Sequence, residues 1–196
     1  KRQTIDSRNI EPGDISFAFS GTNFNAAKLA EDAIEKGAAA VIVEQKQFEN
    51  REKNIFFVES TLKFLQELAM FHRNQISIPV IGLTGSNGKT TTKELISAVF
   101  SKKFKVQFTK GNLNNHIGVP LTLLSVKPEH EIAVIEMGAN HQKEIAELCG
   151  IAQPDYGYIT NFGKAHLEGF GGIEGVIKGK SELYDYLIFH EKTLLQ

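Results

Sequence analysis

The sequence predicts an α/β protein, with a small N-terminal α/β domain followed by part of a second domain built on a parallel sheet. Along the 196 residues, short apolar runs suited to buried strands alternate with longer segments suited to helices. This alternation is typical of parallel strands joined by crossover helices. It is interrupted once, at 75–79, where Pro79 favours an extended backbone at Ile78. We therefore predict domains at residues 1–78 and 79–196.

The first domain contains three predicted strands and two predicted helices. Apolar residues alternate at Ile15, Phe17 and Phe19 after the turn signal at 11–14, which predicts a strand. A helix is predicted from Ala26 to Lys36, ended by a glycine. The remaining elements are strands at 40–43 and 55–58 and a helix from Ser60 or Thr61 to about Asn74.

The second domain repeats the strand and helix alternation. Its predicted strands lie at 80–84, 106–108, 132–137 and 156–160, and its predicted helices at 89–100, 142–149 and 172–186. Residues 192–196 have the pattern of a further strand that begins there. Because the chain also starts at Lys1 without an initiator Met, we expect it to be a fragment of a longer protein.

Composition excludes several classes of function. Lys and Arg number 22 against 23 Asp and Glu, so there is no basic excess for a nucleic acid or an anionic membrane surface. The sequence has no apolar run near the roughly 20 residues of a membrane span, which argues against membrane insertion. A single cysteine, Cys149, excludes an intrachain disulfide. We expect a cytoplasmic protein, and a monomer.

Residues Gly85–Thr91, hereafter the phosphate loop, lie between a predicted strand and a predicted helix, where backbone N–H groups meet an anion. Lys89 would reach the β- and γ-phosphates of a nucleotide, and the Thr90 hydroxyl would bind Mg²⁺. The spacing is shorter than G-x-x-x-x-G-K-[ST], because position 83 is Leu. The plainer alternative is a glycine turn before a helix. Candidate nucleotide-binding residues are Gly85, Ser86, Asn87, Gly88, Lys89, Thr90 and Thr91.

Polar residues follow the neighbouring strands. Glu136 ends the strand at 132–137, so its carboxylate would reach the same sheet edge as the phosphate loop and act as metal ligand or water organiser. His166 belongs to a polar segment after the next strand, and His116 to an amide-rich segment that could line a substrate channel. Lys178 and Lys180 point to different faces of one helix, and spacing alone does not decide which faces inward.

Taken together, these motifs resemble the Mur ligase family, the ATP-dependent amide-bond ligases of the peptidoglycan peptide. The resemblance covers essentially the whole chain. It is carried by Thr84–Thr91, Asn112–Leu124, Glu136–His141 and Ala165–Gly171, with Asp6–Arg8 and Pro12–Asp14 similar to the family's uridine-nucleotide domain. Residues 21–28 depart from it: they read Gly-Thr-Asn-Phe-Asn-Ala-Ala-Lys where relatives usually carry Asp-Gly-His, so their contacts stay open.

The resemblance implies a three-domain enzyme, of which this chain holds the first domain and an incomplete central domain, without the C-terminal domain. Its motifs are most similar to the branch that adds D-alanyl-D-alanine to UDP-N-acetylmuramoyl-tripeptide through an acyl phosphate, with ATP and Mg²⁺. The implied roles are Lys89 for the triphosphate, Thr90 and Glu136 for a first Mg²⁺, His166 for a second, Lys180 as a carbamylated metal ligand, Asn115 and His116 for substrate or γ-phosphate positioning, and Ser7 and Arg8 for the uridine nucleotide.

Three alternatives remain. The first is a related ligase that adds a single amino acid, or one of the folylpolyglutamate synthase type; the segment Glu136–His141 argues against both. The second, from another class, is a P-loop kinase or NTPase, which the short loop spacing and the N-terminal domain fit poorly. The third is a binding module, because we expect little or no ligation by the 196 residues alone.

Overall fold

A computed structural model describes residues 2–6, 8–20, 25–164 and 166–195. The chain divides into two compact units, Lys1–Leu68 and Ala69–Gln196. Each unit contains a parallel sheet, and helices or 3-10 turns connect most of its successive strands. The α/β fold class predicted from the sequence is therefore confirmed.

The first unit is built on short strands. Within the described residues these are β1 (Gln3–Thr4), β2 (Ile15–Ala18), β3 (Ala40–Val43) and β4 (Ile55–Phe57), which pair in that order and all parallel. A 3-10 turn, Ala26–Leu29, runs into helix α1 (Ala30–Glu35); further 3-10 turns lie at Lys46–Phe48 and Arg51–Lys53, and helix α2 (Thr61–Gln75) follows. Small side chains of α1 pack against Val41, Val43 and Ile55 to form the core.

The second unit holds a longer sheet. In the described residues its strands are β5 (Val80–Thr84), β6 (Val106–Phe108), β7 (Ile132–Glu136), β8 (Tyr156–Ile159) and β9 (Thr193–Leu195), in the parallel order β6-β7-β5-β8-β9. Its helices are α3 (Lys89–Phe100), α4 (Gly118–Leu124), α5 (Glu144–Ala152), α6 (Leu167–Phe170) and α7 (Ile173–Phe189).

The order of the strands creates a crevice. Strand β5 lies in the middle, with β7 on one side and β8 on the other, and every residue of β5 and β7 is buried. The connection that follows β5 leads to β6 on one side of the sheet, whereas the connection that follows β8 leads to β9 on the other side. This divergence opens a gap beyond the carboxyl ends of these neighbouring strands. In open parallel sheets this gap is the usual place for a ligand.

Three elements were not predicted from the sequence, and each has a physical reason. Strand β1 has only two residues, too few for any alternation to show. Every residue of helix α4 from Gly118 to Leu123 is buried, so the helix lacks the polar face that marks a helix in sequence. Helix α6 is a single turn. The predicted helix at 26–36 begins instead as a 3-10 turn, where Asn25 Oδ1 accepts a hydrogen bond from Ala27 N.

The division into units falls inside helix α2, earlier than the domain boundary we predict before Pro79. The reason is Arg73, whose guanidinium is almost fully buried within the second unit. Its Nε donates to Ala152 O at 3.0 Å, and its Nη2 donates to Gln153 O and Asp155 Oδ2, each at 2.9 Å. Asp155 Oδ2 in turn accepts from Val80 N at 3.0 Å. Arg73 therefore fastens the end of α2 to the start of β5 and β8.

We expect Arg73→Met to lower the free energy of unfolding by about 3 kcal/mol, because it leaves the carbonyls of Ala152 and Gln153 without this donor and removes one of the cations paired with Asp155. Urea denaturation measures the change. The matched control is Arg51→Met, since the Arg51 side chain is 81% exposed in its pair with Glu49; it should cost at most about 0.5 kcal/mol. Equal effects of the two substitutions would contradict a stabilising role for Arg73.

Candidate nucleotide- and metal-binding site

The phosphate loop follows β5 and is fastened to the segment after β8. Ser86 N donates to Asn161 O at 3.0 Å and Asn87 N to Asn161 Oδ1 at 3.2 Å. Thr160 Oγ1 and Asn161 Nδ2 both donate to Asn87 O, at 2.7 and 2.9 Å. The polar residues that close β8 thus hold the loop in shape.

Gly85 is required by this close approach. Its φ is +141°, in the region that favours glycine, and a Cβ there would collide with Thr160 Oγ1. Gly88 also has positive φ, +77°, and immediately precedes the first turn of α3. The loop therefore delivers the chain directly into a helix N-terminus, whose free N–H groups and positive dipole end favour an anion.

Lys89 curls back over the loop. Its Nζ donates to Gly85 O at 2.9 Å and to Ser86 O at 3.3 Å. Burial lowers the pKa of Lys89, and the nearby Glu136 carboxylate opposes that shift. Thr91, predicted as a further nucleotide-binding residue, lies exposed in the first turn of α3. The ammonium and the helix N-terminus offer positive potential at one place, as a triphosphate requires.

The carboxylate of Glu136 ends β7 and is fully buried. Its Oε1 accepts hydrogen bonds from Thr90 Oγ1 at 3.2 Å and from Asn114 Nδ2 at 2.8 Å. Among the described residues its Oε2 has no hydrogen-bond partner. A buried carboxylate oxygen without a donor, next to a hydroxyl on a phosphate loop, fits the oxygen ligands that Mg²⁺ prefers. The predicted pairing of Thr90 with Glu136 is thus present in the structure.

Three further residues shape this carboxylate, and sequence reasoning did not single them out. Asn114 binds its Oε1, as described above. Thr109 Oγ1 accepts from Glu136 N at 2.9 Å, and Thr109 O accepts from Lys93 Nζ at 2.7 Å. The nitrogen of Lys93, itself fully buried, lies 3.8 Å from Glu136 Oε2. A signal existed for Lys93, because it lies one helical turn after Lys89 and so shares its face.

Asn115 and His116 are differently placed from Asn114. Asn115 Oδ1 accepts from Ile117 N at 3.1 Å and from Gly118 N at 2.9 Å, so it caps the start of α4. Both Asn115 and His116 are exposed. No hydrogen bond in the part of the chain that the structure describes joins Asn115 to Glu136. Their roles in positioning a substrate stay predictions.

Lys180 is the inward-facing member of its pair. Its side chain is buried, whereas Lys178 is exposed. Its Nζ donates to Ala139 O at 3.1 Å and lies 5.1 Å from the centre of the Phe170 ring. Burial, and then the positive charge of Lys89, lower the pKa of Lys180 to about 8, against the opposing pull of Glu144 and Glu182. The Lys180 ammonium is therefore easier to deprotonate than that of an exposed lysine.

His166 begins α6 with a left-handed backbone, φ +53°, and its side chain is exposed. No hydrogen bond or ion pair between described residues connects its ring with Glu136 or Lys180. Nor do the described residues contain a cluster of three or more His, Cys, Asp or Glu side chains that could hold a metal. The structure thus brings Thr90 and Glu136 together and leaves the second predicted metal position a prediction.

In the first unit, Arg8 is exposed and pairs with Asp6 through two hydrogen bonds, Nε to Oδ1 at 2.8 Å and Nη2 to Oδ2 at 3.0 Å. Those bonds lower the pKa of Asp6 to about 2. Ser7 lies outside the described residues, as do residues 21–24 of the divergent segment. Within the rest of that segment, Asn25 Nδ2 donates to Gln45 Oε1 at 2.6 Å.

A cavity of about 680 Å³ lies elsewhere in the second unit. Arg73, Asp155 and Lys192 are among its lining residues, and these stand at the amino ends of the strands. Its charged groups are already paired with one another, since Lys192 Nζ donates to Asp155 Oδ1 at 2.8 Å. The phosphate loop, at the carboxyl ends, remains the better candidate site.

Comparison with known proteins matches both parts of the chain to one family. The family described as "Mur ligase middle domain" matches residues 83–194, and "Mur ligase family, catalytic domain" matches residues 3–73. The UDP-N-acetylmuramoyl-tripeptide--D-alanyl-D-alanine ligase of Escherichia coli (strain K12) is 42% identical over 94% of this chain and 40% of its own length. The enzyme of the same name from Bacillus subtilis (strain 168) is 40% identical over 93% of this chain and 40% of its own.

The fold of the chain is also similar to those of solved ligase structures. A crystal structure of MurF from Acinetobacter baumannii superposes with a TM-score of 0.86 and 41% identity, over 95% of this chain and 41% of that one. MurF ligase from Thermotoga maritima, in complex with ADP, superposes with a TM-score of 0.83 and 38% identity, over 95% and 43%.

The chain thus spans about two fifths of the length of the curated relatives that it matches. Among the described residues, every helix is too short or too polar to cross a bilayer. The match over residues 83–194 takes in the phosphate loop, Glu136 and Lys180, which are the residues that build the candidate site. On this match the chain belongs to the Mur ligase family.

Proposed function

We propose that the protein is an ATP-dependent amide-bond ligase that joins D-alanyl-D-alanine to UDP-N-acetylmuramoyl-tripeptide in peptidoglycan precursor synthesis. The observation that carries the proposal is the buried Glu136 carboxylate beside Thr90 of the phosphate loop, with one oxygen that accepts no hydrogen bond from the described residues. The substrates are those named for relatives about 40% identical to this chain.

The proposed reaction has two steps. The γ-phosphoryl group of ATP passes to the terminal carboxylate of the tripeptide, which forms an acyl phosphate and releases ADP. The amine of D-alanyl-D-alanine then attacks the carbonyl carbon, loses its proton, and the tetrahedral intermediate breaks its C–O bond to release phosphate. Mg²⁺, when bound, neutralises charge on the phosphates during transfer.

In this scheme the residues of the chain bind the triphosphate and the metal ion and position the reacting groups. Lys89 and the N–H groups at the start of α3 hold the triphosphate. Thr90 and Glu136 supply oxygen ligands for Mg²⁺. The protein need not supply a nucleophile, because the attacking groups belong to the substrates; its contribution is orientation and fixed charge.

Lys180 is proposed as a carbamylated ligand of a second Mg²⁺, together with His166. Carbamylation joins a neutral lysine amine to CO₂ and loses a proton, so the product is an anion. Burial beside Lys89 favours the neutral amine, since it lowers the pKa of Lys180 to about 8. Loss of the positive charge also removes the repulsion that a lysine would exert on a cation.

The first unit is proposed to bind the uridine nucleotide, with Arg8 and Ser7 as contacts on the strength of the family resemblance. Arg8 is well placed for an anion, because its guanidinium is exposed and already oriented by Asp6. We also propose that the protein works in the cytoplasm, where ATP is available, and as a monomer.

We expect phosphate release from Mg·ATP by the full-length protein to require both UDP-N-acetylmuramoyl-tripeptide and D-alanyl-D-alanine. Lys89→Ala should lower kcat about a hundredfold or more, because it removes a donor to the transferring phosphoryl group. A coupled phosphate assay measures both effects. Lys102→Ala, an exposed lysine just past the end of α3, is the matched control and should leave the rate unchanged.

Other outcomes of this assay would redirect the proposal. Release that responds to a single amino acid and ignores D-alanyl-D-alanine would favour a Mur-type ligase for another step. Release without any UDP-peptide would favour a P-loop NTPase.

We expect a carbamate signal in the ¹³C NMR spectrum of the protein equilibrated with ¹³C-bicarbonate. Lys180→Gln should remove the signal, because the buried amine is the proposed site. Lys178→Gln, two residues away and exposed, should keep it. A signal that survives Lys180→Gln would refute carbamylation at this position.

A further inference from the structure

Lys93 is a fully buried ammonium group that the proposed reaction does not use. We propose that Lys93 is the resident counter-ion of Glu136, and that it makes divalent-cation binding depend on the nucleotide. In this arrangement Glu136 takes up a metal ion together with the phosphates and not before them. The inference rests on the proposed nucleotide and metal site and adds an order of binding to it.

Helix geometry directs Lys93 into the site. It follows Thr90 by three residues and Lys89 by four, so all three side chains lie on one face of α3. The Lys93 Nζ donates to Thr109 O at 2.7 Å and lies 2.9 Å from Glu94 Oε1. These two partners hold the ammonium in place, because a buried lysine cannot exchange them for water.

The contact between Lys93 and Glu136 is one of charge alone. The Lys93 Nζ lies 3.8 Å from Glu136 Oε2, too far for a hydrogen bond but close enough for strong attraction away from water. The attraction offsets the cost of burying the carboxylate. Because no donor occupies Oε2 within the described residues, its lone pairs remain available to a metal ion.

The charges around Glu136 disfavour a lone cation. Its Oε1 meets two neutral donors, Thr90 and Asn114, and within the described residues the ammonium groups of Lys89 and Lys93 act on the carboxylate. Glu94, paired with Lys93, is half exposed and screened by solvent. A divalent ion alone would therefore meet two ammonium groups and one buried carboxylate. The phosphates of a nucleotide add several negative charges and reverse this balance.

The effect of substituting Lys93 on metal affinity differs according to whether Lys93 only stabilises the fold or also suppresses cation binding. If Lys93 only stabilises the fold, Lys93→Met lowers stability and does nothing for metal binding. If it suppresses cation binding, Lys93→Met leaves Glu136 without its counter-ion and raises affinity for a divalent cation in the absence of nucleotide. The sign of the change in affinity separates the two.

The experiment titrates Mn²⁺ into the full-length protein and follows the free-ion signal by electron paramagnetic resonance, with and without a non-hydrolysable ATP analogue. The analogue without protein is titrated in parallel and subtracted, because its phosphates bind Mn²⁺ by themselves. Without nucleotide, the wild-type protein should bind Mn²⁺ with a Kd weaker than about 1 mM. Lys93→Met should bind one Mn²⁺ at least about tenfold more tightly. Lys102→Met, an exposed lysine just past the end of α3, should match the wild type.

The inference would be overturned by wild-type protein that binds Mn²⁺ equally well with and without the nucleotide analogue, or by Lys93→Met protein that gains no affinity for Mn²⁺. If Lys93→Met proves unstable, Mn²⁺ should raise its Tm, and the Lys93→Met/Glu136→Gln double variant, which lacks both charges, should show no such rise. Absence of the rise in the single variant would also overturn it.

Failure of the proposed function would look different. A wild-type protein that does not bind the ATP analogue at all would remove the nucleotide site, whatever Lys93→Met does to Mn²⁺ binding.

Discussion

The buried carboxylate of Glu136 is the constraint on which the rest of the second unit's site depends. A carboxylate without solvent is tolerated only where other groups replace its hydration, and here they come from two other parts of the chain. Helix α3 supplies Thr90 and Lys93, and the segment before α4 supplies Asn114. The contacts that stabilise this one carboxylate therefore hold helix α3, the end of β7 and the segment before α4 together.

That arrangement also explains two glycines at the carboxyl edge of the sheet. A Cβ on Gly138 would lie 2.9 Å from Asn114 Oδ1 and press on the amide that binds Glu136. A Cβ on Gly118 would collide with the Leu113 backbone, so α4 could not start where it does. Both glycines permit close packing of the segment that carries Asn114, and neither has positive φ. Their role is close approach and not backbone freedom.

Sequence reasoning located the parts of the site that are local in the chain. The phosphate loop and Glu136 were predictable because a strand, a turn and a polar residue follow one another directly. Asn114 was overlooked beside Asn115, since only the turn into α4 decides that Asn115 caps the helix while Asn114 reaches Glu136. The inward direction of Lys180 likewise depends on packing against Phe170, which no spacing rule contains. The local sequence pattern predicts where a residue lies along a strand or helix. Tertiary packing determines which other side chains it contacts.

The short spacing of the phosphate loop follows from the sheet itself. Position 83, where a longer loop would have its first glycine, is a fully buried leucine, and β5 continues through Thr84, whose Oγ1 donates to Met137 O at 2.7 Å. Strand β5 therefore stays paired with its neighbouring strand up to Thr84. Fewer residues remain to curve around a phosphate. A shorter loop has fewer backbone groups that can hydrogen-bond to one another. Its conformation must therefore be stabilised by residues outside the loop. Thr160 and Asn161 provide this support, because they bond Asn87 and Ser86 from the far side of the crevice. The polar residues after β8 thus supply hydrogen bonds that a longer loop would form within its own backbone.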